Sequence, residues 1–114
     1  MPRHLNHEEA NIQARLIKTL RSLEWFVKPT HGNMYQSGFP DLYCAHRKYG
    51  QRWIEVKLPN MVGSRFTAAQ LDTFPQLAAA GVGIWILTGW ETHDLKALMG
   101  PPNWYMFLNV INRR

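Results

Sequence analysis

The stretch Gly38–Lys57, GFPDLYCAHRKYGQRWIEVK, decides the fold. Asp41–Ala45 and Gln51–Lys57 both read as strands. The five residues His46–Gly50 between them include a glycine, which is the pattern of a β-hairpin. Asp41 and Glu55 lie equally far from Lys48, the middle of the connection. A regular antiparallel register therefore sets them opposite each other. Side chains alternate along a strand, so Glu55 and Lys57 share one face while Ile54 and Val56 share the other. Asp41, Glu55 and Lys57 then converge at one spot. Leu42, Cys44, Ile54 and Val56 form a core face behind them.

Upstream, His7–Leu23 carries Ile12, Leu16, Leu20 and Leu23 at helical spacing, with Ile17 beside them. Asn6 is the expected N-cap, and Glu8 and Glu9 suit the first turn. Trp25–Lys28 reads as a short strand that Pro29 ends. Thr30–Gly38 is a polar loop. Downstream, Pro59–Arg65 is a loop and Thr67–Ala80 a helix closed by Gly81. Pro75 lies inside that helix and predicts a kink or a break. Val82–Thr88 is a continuous apolar run, the mark of a strand buried on both faces. The helix before it suggests a crossover and parallel pairing with an earlier strand. Trp90–Met99 is expected to hold a short helix, and Trp104–Ile111 an edge strand or a subunit contact.

The chain has 114 residues, 46% of them hydrophobic and 18% charged, which suits one compact domain spanning residues 1–114 with a real core. No apolar run approaches the ~18–20 residues that a bilayer span needs, and the opening MPRHLNHEEA lacks a secretory pattern. Membrane association is therefore not expected. A single cysteine, Cys44, excludes an intrachain disulfide framework and a Cys-rich zinc site. The expected compartment is a reducing cytoplasm, that of a bacterial cell or of a phage-infected host. Thirteen Lys/Arg against eight Asp/Glu leave a net charge of +5. The isoelectric point near 9.7 suits a polyanionic partner but does not by itself identify one.

Two carboxylates held together repel unless positive charge lies between them. Mg²⁺ takes hard oxygen ligands, commonly one or two carboxylates with waters and a substrate phosphate. Lys57, one pleat from Glu55, can hold a phosphate oxygen. A metal-assisted phosphodiester hydrolase fits this arrangement. So does a cross-strand Glu/Lys pair on an exposed hairpin, worth under ~1 kcal/mol. Spacing alone leaves both readings open.

Pro40-Asp41 followed by Glu55-Val56-Lys57 resembles the PD-(D/E)XK nuclease superfamily. Gly38-Phe39 before that pair, Glu9 followed by Ile12-Gln13, and Gln70 followed by Gly81 make the chain similar to its VRR-NUC branch, which includes phage proteins resembling Holliday-junction resolvases. The resemblance covers roughly Glu9 to Thr88. It implies a restriction-endonuclease-like α/β fold, a central mixed β-sheet flanked by helices. It implies Asp41, Glu55 and the backbone carbonyl of Val56 as ligands of Mg²⁺ or Mn²⁺. Glu9 would complete the metal site directly or through water; Glu8 is the neighbour a one-residue shift would promote. Lys57 would be the catalytic lysine, and Gln70 would orient water or phosphate. Thr67-Ala68-Ala69-Gln70 is also a capping box, so Gln70 has a second reading.

Lys28, His31, Arg47, Lys48, Arg52 and Arg65 lie in or beside loops that can border a phosphate groove, with Lys28 and His31 foremost. For any one of them, an ordinary solvated charge is the better reading. Tyr35 and Phe39 can stack on a base or pack in a loop. The resemblance points to a metal-dependent endonuclease acting on DNA, with four-way junctions the preferred substrate and a homodimer supplying two sites. A nonspecific nickase or flap nuclease, a catalytically silent nucleic-acid-binding module and a subunit of a larger assembly are the alternatives.

Overall fold

The computed structural model describes residues 7–30, 38–59 and 65–108. Helix α1 (His7–Ser22) turns Ile12, Leu16 and Leu20 into the core and keeps Glu8, Asn11 and Lys18 in solvent. Its expected cap, Asn6, lies outside the described residues. The helix closes where Trp25 N–H donates to the Leu20 carbonyl at 3.0 Å, with Glu24 in the left-handed region at φ 71°.

That turn launches β1 (Phe26–Pro29), the edge of a four-stranded sheet ordered β1-β2-β3-β4. Strands β2 (Leu42–His46) and β3 (Gly50–Val56) form the hairpin, with Leu42 opposite Ile54 and His46 opposite Gly50. One residue further along, the same register places Asp41 opposite Glu55. β1 pairs antiparallel with β2, and β4 (Ile84–Leu87) pairs parallel with β3. All four β4 residues are buried, as a strand covered on both faces requires.

Helix α2 (Ala68–Ala79) makes the crossover. Pro75 does not break it. The proline removes the donor that would serve the Leu71 carbonyl. Both residues lie on the exposed side, so that carbonyl is left to water and not stranded in the core.

The sheet has a core on each face. Ile12, Leu16, Leu20, Val27, Leu42, Cys44, Ile54, Val56 and Leu87 fill the α1 side. Phe66, Phe74, Ile84, Ile86 and Trp104 fill the α2 side. The expected helix in Trp90–Met99 is α3 (Thr92–Leu95), continued by a 3₁₀ turn at Lys96–Met99.

The expectation of an edge strand in Trp104–Ile111 does not hold for the residues described; residues 109–111 lie outside them. Trp104–Phe107 is a 3₁₀ turn. One residue occupies the outer edge of β4 instead. Ile86 N–H donates to Asn103 Oδ1 at 2.6 Å, and Asn103 N–H donates to the Ile84 carbonyl at 3.2 Å. The Asn103 amide stands in for the peptide group of a fifth strand. Trp104 then turns inward onto Phe74 and Phe66, at ring separations of 5.6 and 6.2 Å. No helix among the described residues is long and apolar enough to cross a membrane.

Candidate active site

The hairpin register holds Asp41 and Glu55 by reciprocal bonds. Asp41 N–H donates to Glu55 Oε1 at 3.2 Å. Val56 N–H donates to Asp41 Oδ2 at 2.8 Å. Each carboxylate thus rests on the other strand's backbone. Both are buried, at 6% and 0% exposure. This removes the exposed surface-pair reading, because a solvated pair on a hairpin does not lie inside the protein.

Lys57 is 1% exposed. Its Nζ lies 3.2 Å from Glu55 Oε2 and donates to the Arg65 carbonyl at 2.6 Å. It also sits 5.2 Å from the centre of the Phe66 ring. Its backbone N–H extends the parallel ladder to the Leu87 carbonyl at 3.0 Å. The ammonium is therefore held between a carboxylate, a carbonyl and an aromatic face. Buried charges persist only when paired and hydrogen-bonded in this way.

Two supports fix Asp41 from outside the hairpin. Thr30 Oγ1 donates to the Pro40 carbonyl at 2.7 Å, and Thr30 N–H donates to the Asp41 carbonyl at 2.9 Å. Gly38 has φ +92°, and a Cβ there would meet Thr73 Oγ1 at 2.6 Å and the Ala69 carbonyl at 2.7 Å. Only glycine lets the Phe39-Pro40-Asp41 loop lie against the backbone of α2.

Gln70, next to Ala69, is fully buried. The capping-box reading of it holds. Its N–H donates to Thr67 Oγ1 at 3.0 Å, and its Oε1 accepts from Thr67 N–H at 3.1 Å, completing the capping box. Its Nε2 is buried and finds no acceptor among the described residues. Gln13 Oε1, on α1, is likewise buried without a donor among them.

Glu9, not Glu8, is the inward acid of the first helix: Glu9 is 5% exposed and Glu8 lies in solvent. Yet Glu9 comes from a helix packed on the sheet face opposite Asp41 and Glu55. Among the described residues, no three His, Cys, Asp or Glu side chains gather closely enough to hold one metal ion. Three direct carboxylate ligands are therefore not gathered among the described residues, where Asp41 and Glu55 meet as a pair.

The basic residues separate into groups. Lys28 is exposed and sits opposite Tyr43, on the sheet face that carries Asp41 and Glu55. Arg65 is exposed, and its carbonyl orients Lys57. Arg47 and Lys48 do not border the pair. They lie in the hairpin turn, six or more residues along the strand from Asp41, about 20 Å at strand rise. Arg52 is not at the site either. It belongs to the opposite face, where its Nε donates to the Leu98 carbonyl at 2.8 Å and its guanidinium lies 4.6 Å over Trp85. His31 and Tyr35 fall outside the described residues. Phe39 packs edge-on to Trp53 at 6.0 Å. Cys44 is core, and burial pushes its thiol up to about 12.

Sequence reasoning missed Thr30 and the Arg65 carbonyl. Extending the β1–β2 register past Pro29 would have found Thr30 opposite Asp41. No sequence signal marks a carbonyl as an ammonium acceptor.

No protein-family model matches the sequence, and no curated protein matches it significantly. A solved structure described as a VRR_NUC domain is similar, with a TM-score of 0.60 at 18% identity over 75% of this chain and 88% of that one. The chain therefore has the α/β fold of a VRR-NUC domain, a mixed sheet flanked by helices, as its sequence led one to expect.

Proposed function

We propose that this chain is a VRR-NUC nuclease, a metal-dependent endonuclease that hydrolyses DNA phosphodiester bonds. The observation that carries this is the buried Asp41–Glu55 pair with Lys57 beside it, seated in a sheet of VRR-NUC shape. The cluster sets two carboxylates against one ammonium. An all-oxygen donor set of this charge fits Mg²⁺ or Mn²⁺. Asp41, Glu55 and the Val56 carbonyl are the residues to hold such an ion, with Glu9 acting through water. Once bound, the ion supplies Lewis-acid polarisation and charge neutralisation at the phosphate.

The chain's own groups do the rest. Lys57 presents a desolvated ammonium to the charge that develops on the phosphate oxygens. Gln70 Nε2 offers a buried donor to a phosphate oxygen or to water. Water adds at phosphorus and gives up a proton, the bond from phosphorus to the 3′-oxygen breaks, and that oxygen takes up a proton as it leaves, so that the products carry a 5′-phosphate and a 3′-hydroxyl. Lys28 and Arg65 take backbone phosphates beside the site.

Cleavage is expected to require Mg²⁺ or Mn²⁺ and to stop in excess EDTA, with Ca²⁺ supporting binding only. Asp41→Asn is expected to lower the rate by at least ~10²-fold, about 2.7 kcal/mol of transition-state stabilisation, with an unchanged circular dichroism spectrum. Full activity in EDTA would sink the reading. Failure to bind Mn²⁺ or to cut any DNA would leave a silent nucleic-acid-binding module.

Within this reading, resolving a four-way junction needs two opposed cuts, and a homodimer supplies them. Tyr105 and Met106, 57% and 66% exposed, are the apolar surface for that contact. Light scattering combined with cleavage of a junction and a matched duplex tests it. A monomer that cuts both equally leaves a nonspecific nuclease.

A further inference from the structure

Beside the carboxylates, the same sheet face carries a row of aromatic rings. Tyr43 is two residues from Asp41, and Trp53 is two residues from Glu55, so both lie one pleat away, about 7 Å. Their rings meet at 5.0 Å, directly paired across the hairpin. Phe26, on β1, extends the row with its ring 6.3 Å from Tyr43. Phe39 closes the other end, 6.0 Å from Trp53. On the β4 side this face is covered, because Phe74 and Trp104 pack over Ile84 and Ile86. Trp53 is partly buried against that cluster. Among the described residues the face opens at the two ends of the row, where Phe26 on β1 is 59% and Phe39 37% exposed. Lys28 projects from the same face, between Phe26 and the Asp41 end.

Phe26 lies outside the core but in ring contact with Tyr43 and, through it, Trp53, and contiguous exposed apolar surface marks an interaction site. Rings interleaved with a cation, in a chain of net charge +5, match the two surfaces of a single strand. Base faces stack on the rings, and phosphates pair with the lysine. A base-paired duplex keeps its base faces inside the helix and cannot use the rings.

We propose that the Phe26–Tyr43–Trp53–Phe39 row is a stacking platform for unpaired DNA bases next to the cleaved phosphate, so that the substrate is single-stranded or has bases unpaired at the cut, as at an opened branch point. This rests on the nuclease reading for the position of the cut, but the platform itself is a binding property and can be tested without turnover.

The experiment is fluorescence anisotropy of a labelled oligothymidylate and of a matched duplex, with the full chain in EDTA. Phe26 is largely exposed, so Phe26→Ala should leave the unfolding midpoint unchanged. It is expected to weaken binding of the single strand about tenfold and of the duplex by less than about twofold. Phe26→Tyr keeps a ring and should bind like the wild type. Unchanged single-strand affinity in Phe26→Ala, or an equal loss on both probes, overturns the platform. The two readings fail separately. Ring-dependent single-strand binding without cleavage in Mg²⁺ keeps the platform and removes the nuclease. Metal-dependent cleavage that is indifferent to Phe26 does the reverse.

Discussion

The two sides of β3 are equally buried and chemically opposite. Ile54 and Val56 have no exposure on the α1 side, and Glu55 and Lys57 have none to speak of on the other. On the first side, burial itself stabilises, at ~25 cal/mol per Å² of apolar surface. On the second, burial is a cost that the Glu55–Lys57 contact, the Asp41 N–H and the Arg65 carbonyl offset. One strand therefore separates stability from chemistry by the parity of its residues. A polar cluster kept so deep without need for stability is the place to look for function.

That contrast can be broken from either side. The largest effect is expected on the apolar face: Ile54→Ala should lower the unfolding free energy by ~4 kcal/mol, read from denaturant titration. A loss under about 1 kcal/mol would show that this face is not the main core. On the polar face, Glu55→Gln combined with Lys57→Met removes both charges of the ion pair together, and Asp41 keeps its bond from Val56 N–H. Stability should then stay within ~1 kcal/mol of wild type, or rise, while cleavage falls by at least ~10²-fold. A large loss of stability in this double variant would mean that the ion pair holds the fold.

A third test addresses the loop that brings Asp41 to the site. Gly38→Ala combines a left-handed backbone with a collision against Thr73 and Ala69. It should cost about 2 kcal/mol and lower cleavage as well, because Asp41 moves with the loop. Stability lost without activity lost would detach the loop from catalysis.

The last effect, absent at neutral pH, concerns Cys44. Its thiol is ordinarily at 9.0, and burial pushes it up to about 12 in the folded chain. Between those values the unfolded chain releases the proton and the folded chain keeps it. Stability therefore falls as pH rises through that window, by up to ~1.4 kcal/mol per pH unit from this group. Cys44→Ala should show a shallower decline above pH 9 than wild type. Parallel declines would mean that the thiol is open to water.

Much of this was legible in residue order because strand periodicity is local. Counting from Lys48 placed Asp41 opposite Glu55, and alternation placed Lys57 with them and Cys44 behind. Glu9 stands three residues before Ile12 and seven before Leu16, which is one helical face, and the structure buries it. What the count could not supply was reach between elements. Glu9, Asp41 and Glu55 look like one set along the chain, yet α1 delivers Glu9 from the other side of the sheet. Arg47 and Arg52 look close to the site in sequence. One is at the far end of the hairpin, and the other is tied to Leu98 and Trp85.

By itself, then, the sequence determined the hairpin, its register, the division of β3 into an apolar and a polar side, and the parallel return through α2. Each follows from a repeat of two or 3.6 residues or from a crossover of one hand. Tertiary structure decided the rest. It set the Arg65 carbonyl against Lys57, held the Gly38 loop on α2, and left Gln70 Nε2 buried beyond its cap. It also let the Asn103 amide occupy the β4 edge where a strand was expected. These contacts join residues with no fixed spacing between them, and which groups meet is settled only when the two cores close on either side of the sheet.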